Sequence, residues 1–163
     1  MLIAELQRDM IFKKKNSSKS CISDPVFGEM NYIENKWIGQ VHFEPYQRKG
    51  ISIAIQDKVY GENERNSFLS FKERYPGISE KIHEQLLAVI QECSLKNERD
   101  GHYCQSVPEV NSPDQLETMI FLYSIEFFNS GKTIRLLYEF GYHSEYVIAV
   151  SLKGEQVTNI SFS

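Results

Sequence analysis

The sequence predicts an α+β fold: an antiparallel sheet built from two strand groups, about residues 26–57 and 121–162, with a helical segment, 67–119, packed on it. Three observations carry this. The last quarter of the chain reads as four short alternating strands separated by turn residues. Residues 26–56 show the same period of two. Between them, Ile78, Ile82, Leu86, Val89, Ile90 and Cys93 recur at the spacing of one helical face.

Taken in order, residues Met1–Phe12 fit either a short strand or a short helix, and Lys13 to Ser20 form a basic polar connector. From Pro25 onward Val26, Gly28, Met30 and Tyr32 alternate with Phe27, Glu29 and Asn31. A turn at Asn35-Lys36 leads to a second strand, Trp37–Glu44, with Trp37, Gly39, Val41 and Phe43 on one face. Pro45–Gly50 is a loop, because proline cannot donate to a ladder. Ile51, Ile53 and Ile55 mark a third strand. Residues Asp57–Asn66 are polar and predict a loop. A short helix with Phe68, Leu69 and Phe71 is expected to break at Tyr75-Pro76-Gly77, and a longer one to run from Ser79 to Leu95. Asn97–Val110 reads as a loop. Ser112-Pro113-Asp114-Gln115 then opens a helix that ends near Met119, through a serine cap, a proline at the first helical position and a glutamine at the third. The closing strands are Phe121–Phe128, Thr133–Phe140, Tyr146–Leu152 and Val157–Phe162, with a break at Gly141–Ser144.

Composition narrows the function. The 163 residues suit a single domain with its own core, and 41% hydrophobic residues are too many for a disordered chain. Net charge is −4, unevenly spread: residues 1–20 carry a surplus of three positive charges and the remainder a surplus of seven negative ones. An acidic body repels phosphate, which argues against direct nucleic-acid binding and favours a basic protein partner. Three cysteines without paired spacing fit free thiols in a reducing cytoplasm. No segment approaches the roughly 20 apolar residues of a membrane span.

No catalytic, cofactor or metal motif stands out. There is no glycine-rich phosphate loop, nucleophile elbow or paired-histidine zinc helix. The nearest approach to nucleophilic chemistry is His102-Tyr103-Cys104, which would need a thiolate beside a base in a cleft. The residues that suggest a partner surface are acidic and aromatic. Asp57, Glu62 and Glu64 cluster after the third strand, and Glu139, Tyr142, His143 and Glu145 rim the break between two later strands.

Two stretches carry a family resemblance. Asp24-Pro25-Val26-Phe27-Gly28-Glu29-Met30, followed by Trp37-Ile38-Gly39, resembles the opening meander of small bacterial α+β domains. Tyr146–Val157 is similar to their closing hairpin, with Lys153 standing where those domains carry an acidic residue before the glycine. Such domains occur as immunity proteins beside bacterial polymorphic toxins, including those of contact-dependent growth inhibition. The resemblance covers roughly 24–57 and 120–163. It implies a cytoplasmic protein that binds one cognate toxin domain and blocks its active site, with no catalytic residues of its own. Two alternatives stay open: a stand-alone regulatory domain that binds a small molecule or protein, and an enzyme using Cys104 and His102.

Overall fold

The computed structural model describes residues 20–44, 48–100, 110–140 and 143–162, without the side chains of 48–49, 93–100 and 143–146. The proposed elements within 1–12, the lysine run 13–19, the loop residues 45–47, His102-Tyr103-Cys104, and Gly141-Tyr142 lie outside these residues.

The described strands are β1 (Cys21–Asp24), β2 (Gly28–Ile33), β3 (Lys36–Phe43), β4 (Arg48–Ile55), β5 (Ile120–Phe128), β6 (Thr133–Phe140), β7 (His143–Lys153) and β8 (Gln156–Phe162). They form one eight-stranded sheet in chain order. Between β4 and β5 lie α1 (Glu62–Asp100) and α2 (Pro113–Met119). The α+β class with helices packed on a sheet therefore holds. The two predicted strand groups do belong to one sheet, but it is not antiparallel throughout. They join through a parallel pairing of β4 with β5, in which Ser52 meets Ser124 and Ile55 meets Phe127. Every other pairing is antiparallel. The parallel junction follows from the connection: α1 and α2 carry the chain back to the end of the sheet where β4 began.

Three local expectations are corrected. First, a fourth N-terminal strand, β1, precedes the predicted three, and Pro25-Val26-Phe27 is a turn instead of the start of a strand. Asp24 makes that turn. Its carboxylate Oδ1 accepts hydrogen bonds from the Val26 and Phe27 amides at 2.8 and 3.0 Å. Phe27 is thereby tucked into the core at 1% exposure, against the alternation read from the sequence.

Second, the segment 57–66 is helical from Glu62. Gly61 is the residue just before the helix, and its N–H donates to Glu64 Oε2 at 2.8 Å, half of a capping box. Third, Tyr75-Pro76-Gly77 does not break the helix. α1 runs through it as one 39-residue helix. A proline inside a helix removes one ladder bond and crowds the preceding turn, at a cost of about 3 kcal/mol. Here Pro76 and Gly77 are exposed, while Tyr75 and Ile78 on either side are buried. The Tyr75 ring packs edge-on to Phe43 at 5.0 Å and lies 5.5 Å from Phe71. Phe68, Phe71, Tyr75, Ile78, Ile82, Leu86 and Ile90 make one continuous buried stripe. Each contributes about 2 kcal/mol on burial, so the stripe outweighs the proline.

That stripe meets a single face of the sheet. Met30, Val41, Phe43, Ile51, Ile53, Ile55, Ile125, Phe127, Ile134, Leu136, Tyr138, Ile148, Val150 and Leu152 all belong to the same core. α2 is as predicted: Ser112 Oγ accepts from the Gln115 amide at 3.2 Å and the helix stops at Met119. The Gln115 side chain, though, accepts from Asn111 N–H at 2.9 Å, not from the cap residue. β7 starts at His143, three residues before the predicted Tyr146.

The helix is fastened at both sides of the sheet. Toward β1, Asp24 Oδ2 accepts from Arg65 Nε at 2.9 Å and from the Tyr60 hydroxyl at 3.1 Å, and pairs with Arg65 Nη2 at 2.9 Å. Toward β8, Glu155 in the β7–β8 turn pairs with Arg74 and Lys81 at 3.0 and 3.6 Å. The β5–β6 turn lies against the helix start. Ser67 Oγ donates to the Gly131 carbonyl at 2.6 Å. Gly131 has φ +75°, and a Cβ there would stand 2.9 Å from Ser67 Cβ.

Two outcomes follow. Gly39 sits where β2 crosses β3, and an added Cβ would meet the Met30 sulfur and lie 2.9 Å from the Glu29 carbonyl oxygen. Gly39→Ala should cost about 1–3 kcal/mol by urea denaturation, and adding Met30→Ala should not restore it, because the backbone contact remains. Asp24→Asn should cost about 3 kcal/mol, since it leaves Arg65 and the turn without their charge partner. Burial pushes the Asp24 carboxyl upward, but the Phe27 and Val26 amides, Arg65 and Tyr60 outweigh it and hold the group below its ordinary value of 3.8. Its stabilisation is therefore complete above about pH 3.8 and drains away as pH falls below it. The stability difference between the native protein and Asp24→Asn should shrink over that acid range; an unchanging difference would contradict the assignment.

Candidate functional site

Among the described residues α1 and α2 cover only one face of the sheet, and no described element packs on the other. Strand alternation decides what it carries. On β2 to β4 it presents Glu29, Asn31, Ile33, Ile38, Gln40, His42, Ser52 and Ala54. On β5 to β7 it presents Ser124, Glu126, Phe128, Arg135, Leu137, Glu139, Val147, Ala149 and Ser151. A register shift between Leu122 and Ser124 brings Tyr123 to this side as well. Burial pushes the Tyr123 hydroxyl above its ordinary range, and the nearby Glu139 and Glu126 carboxylates push it the same way.

The centre of this face is a charge pair. Glu126 and Arg135 stand directly opposite each other on β5 and β6. Arg135 Nε donates to Glu126 Oε2 at 2.6 Å, and Nη2 contacts the same oxygen. The guanidinium also lies over the Phe128 ring, 4.9 Å from its centre. Glu126 is only 7% exposed while the Arg135 side chain is 41% exposed, so the arginine caps the carboxylate and shows its own outer side to solvent. Tyr123, Phe128 and Leu137 around it are half-buried. An arginine flanked by aromatic and aliphatic side chains has the chemistry of a protein-binding hot spot.

Toward the β2 side the same face holds a shallow groove of about 320 Å³, lined by Glu29, Asn31, Ile33, Ile38, Gln40 and Ser52. A second opening, about 550 Å³, lies between the β1–β2 turn, β3 and α1; its lining includes Gln40, His42, Glu44, Leu69 and Lys72. Lys72 and Glu44 form a 3.4 Å ion pair there.

The residues singled out from the sequence fall at two ends of the sheet. Asp57 lies just past β4, and its Oδ2 accepts from the Ser130 amide at 2.9 Å, bracing the β5–β6 turn. Glu62 is exposed in the first turn of α1. Glu64 is 2% exposed and committed to the Gly61 amide, so it does not face solvent. Glu139 is exposed on the open face near the far end of β6. Asp57 and Glu139 are thus separated by most of the length of β6, roughly 20 Å at the rise of a strand. His143 and Glu145 are in β7 at the Glu139 end, and Tyr142 lies outside the described residues. Sequence reasoning missed Arg135, Glu126, Tyr123 and Phe128. The signal was present, as an opposite-charge pair across the Asn129-Ser130-Gly131 hairpin, but the hairpin reads equally well without assigning a face.

Asp24, the buried carboxylate beside β2, has structural work. Among the described residues the hydrogen bonds to Asp24 come from the turn, Tyr60 and Arg65. His83 is 7% exposed on α1, with no partner at Nε2 among the described residues; burial lowers its pKa and Glu117 partly opposes that. Among the described residues no three His, Cys, Asp or Glu side chains converge as a metal site would require, and no described helix is long and apolar enough to cross a membrane. Compared with family models, with curated proteins and with solved structures, the chain finds no match.

Proposed function

We propose that this chain is an immunity-type inhibitor, which neutralises a bacterial toxin domain in the cytoplasm by one-to-one binding and without catalysis. The observation that carries the reading is the open sheet face, where Tyr123, Phe128 and Leu137 surround the Glu126–Arg135 pair. A rigid face with aromatic anchors and a half-desolvated arginine suits a protein partner better than a small ligand, which needs a concave, enclosing pocket. The acidic surplus beyond residue 20 supplies steering toward a basic surface such as a nuclease groove. Glu139 adds negative charge at the margin of the same face. Occupying that groove is enough to inhibit. The resemblance of residues 24–57 and 120–163 to immunity domains supports the same reading.

The test is co-expression with the toxin-like reading frame encoded next to this protein. Cells should survive, and the purified pair should elute as a one-to-one complex. Tyr123→Ala with Phe128→Ala and Leu137→Ala should weaken binding by about 100-fold or more, with the circular dichroism spectrum unchanged. A toxin that stays active in the presence of this protein, or a triple variant that protects as well as the native chain, would refute the proposal.

A further inference from the structure

An open sheet has two edges, and in this protein they are built differently. β1 is four residues long and stops at Asp24-Pro25, where the turn amides are already engaged. β8 is longer, Gln156–Phe162, and contains neither proline nor any charged residue. It is the one strand of the eight without a charge. Among the described residues its backbone pairs only with β7. Its register shift is confined to the start, and Asn159 to Phe162 pair regularly with Ser151 to Ile148, leaving a straight edge that no other described strand pairs with. Strands that stay unpaired are usually short, bulged, or guarded by lysine or proline. Among the described residues β8 has a bulge at its start and no other guard.

We propose that β8 is a self-association edge, along which two copies of this chain pair antiparallel about a two-fold axis normal to the sheet. Charge selects the occupant. Beyond residue 20 the chain carries seven surplus negative charges, so most of its surface repels a second copy. β8 is a neutral strip on which the copies meet without opposing like charges. Its side chains are also self-complementary. With Ile160 on the axis, each Asn159 faces Ser161 of the other copy on the open side, two uncharged groups able to hydrogen-bond. On the helix side the half-buried Val157, Ile160 and Phe162 extend the core stripe toward their equivalents. The Glu155 pairs to Arg74 and Lys81 hold the β7–β8 turn to α1, so the edge is fixed before association. The two-fold axis turns both open faces to the same side, which makes the dimer compatible with two bound partners.

Size-exclusion chromatography with light scattering should show the native chain moving toward twice 19.0 kDa as concentration rises. Asn159 and Ser161 are exposed, so charging them leaves the monomer intact. Asn159→Lys with Ser161→Lys should weaken the dimer by about 100-fold or more through like-charge contacts, and Asn159→Asp with Ser161→Asp should do the same. Mixing the lysine and aspartate forms should restore a heterodimer. A native chain that stays monomeric at its solubility limit would overturn the proposal. So would charged forms that still dimerise alone, or a mixture that does not associate. Because this readout needs no toxin, it fails or succeeds independently of the inhibitor reading.

Discussion

The structure depends on the burial of one stripe of α1 in one face of the sheet. Phe68, Phe71, Tyr75, Ile78, Ile82, Leu86 and Ile90 are all within 3% of complete burial. Among the described residues they are the helical surface that spans the sheet, so the strands on both sides of the β4–β5 junction share a single core. This explains why Pro76 is tolerated. Losing one backbone bond on the solvent side costs less than dividing the stripe, which would strand Tyr75 and Ile78 away from their partners. It also explains the polar clasps at either side. Asp24 with Arg65, and Glu155 with Arg74 and Lys81, set where the stripe lies relative to the sheet, while the apolar contacts supply most of the stability.

One long helix on one face leaves the opposite face of the sheet without a covering element among the described residues. Such a face is normally polar. Here it carries the capped Glu126–Arg135 pair with Phe128 and Tyr123 beside it. Glu126 is held under the guanidinium, so its charge is neutralised locally, and Arg135 lies over the Phe128 ring.

Much of the fold was legible along the chain. Ile51, Ile53 and Ile55, or Ile148, Val150 and Leu152, announce strands by period two, and both lines of residues are buried as read. The serine cap and proline of α2 define its start to the residue. What was misread turned on side-chain contacts that a hydrophobic pattern does not register. Phe27 breaks the alternation because Asp24 folds the backbone into a turn. Glu62 and Glu64 look like an acidic loop until Gly61 is seen to cap a helix through Glu64. Tyr75-Pro76 looks like a helix end because the residue before proline disfavours helix locally; its ring contacts with Phe43, from another element, reverse that preference. The candidate site was less legible than the fold. A charge cluster in sequence, Asp57 with Glu62 and Glu64, dissolves into a turn brace, an exposed helix residue and a cap.

Periodicity and turn chemistry, which act over a few residues, determined by themselves that this chain makes strands, helices and a mixed α+β core of one domain's size. The tertiary structure decided the rest: that β4 and β5 pair in parallel and fuse two strand groups into one sheet, that α1 passes unbroken through Pro76, and which side of each strand faces out. Those outcomes turn on contacts between residues far apart in the chain. An alternating strand specifies two faces but not which one a helix will cover, so Arg135, Glu126 and Tyr123 became a surface only once α1 had taken the other side.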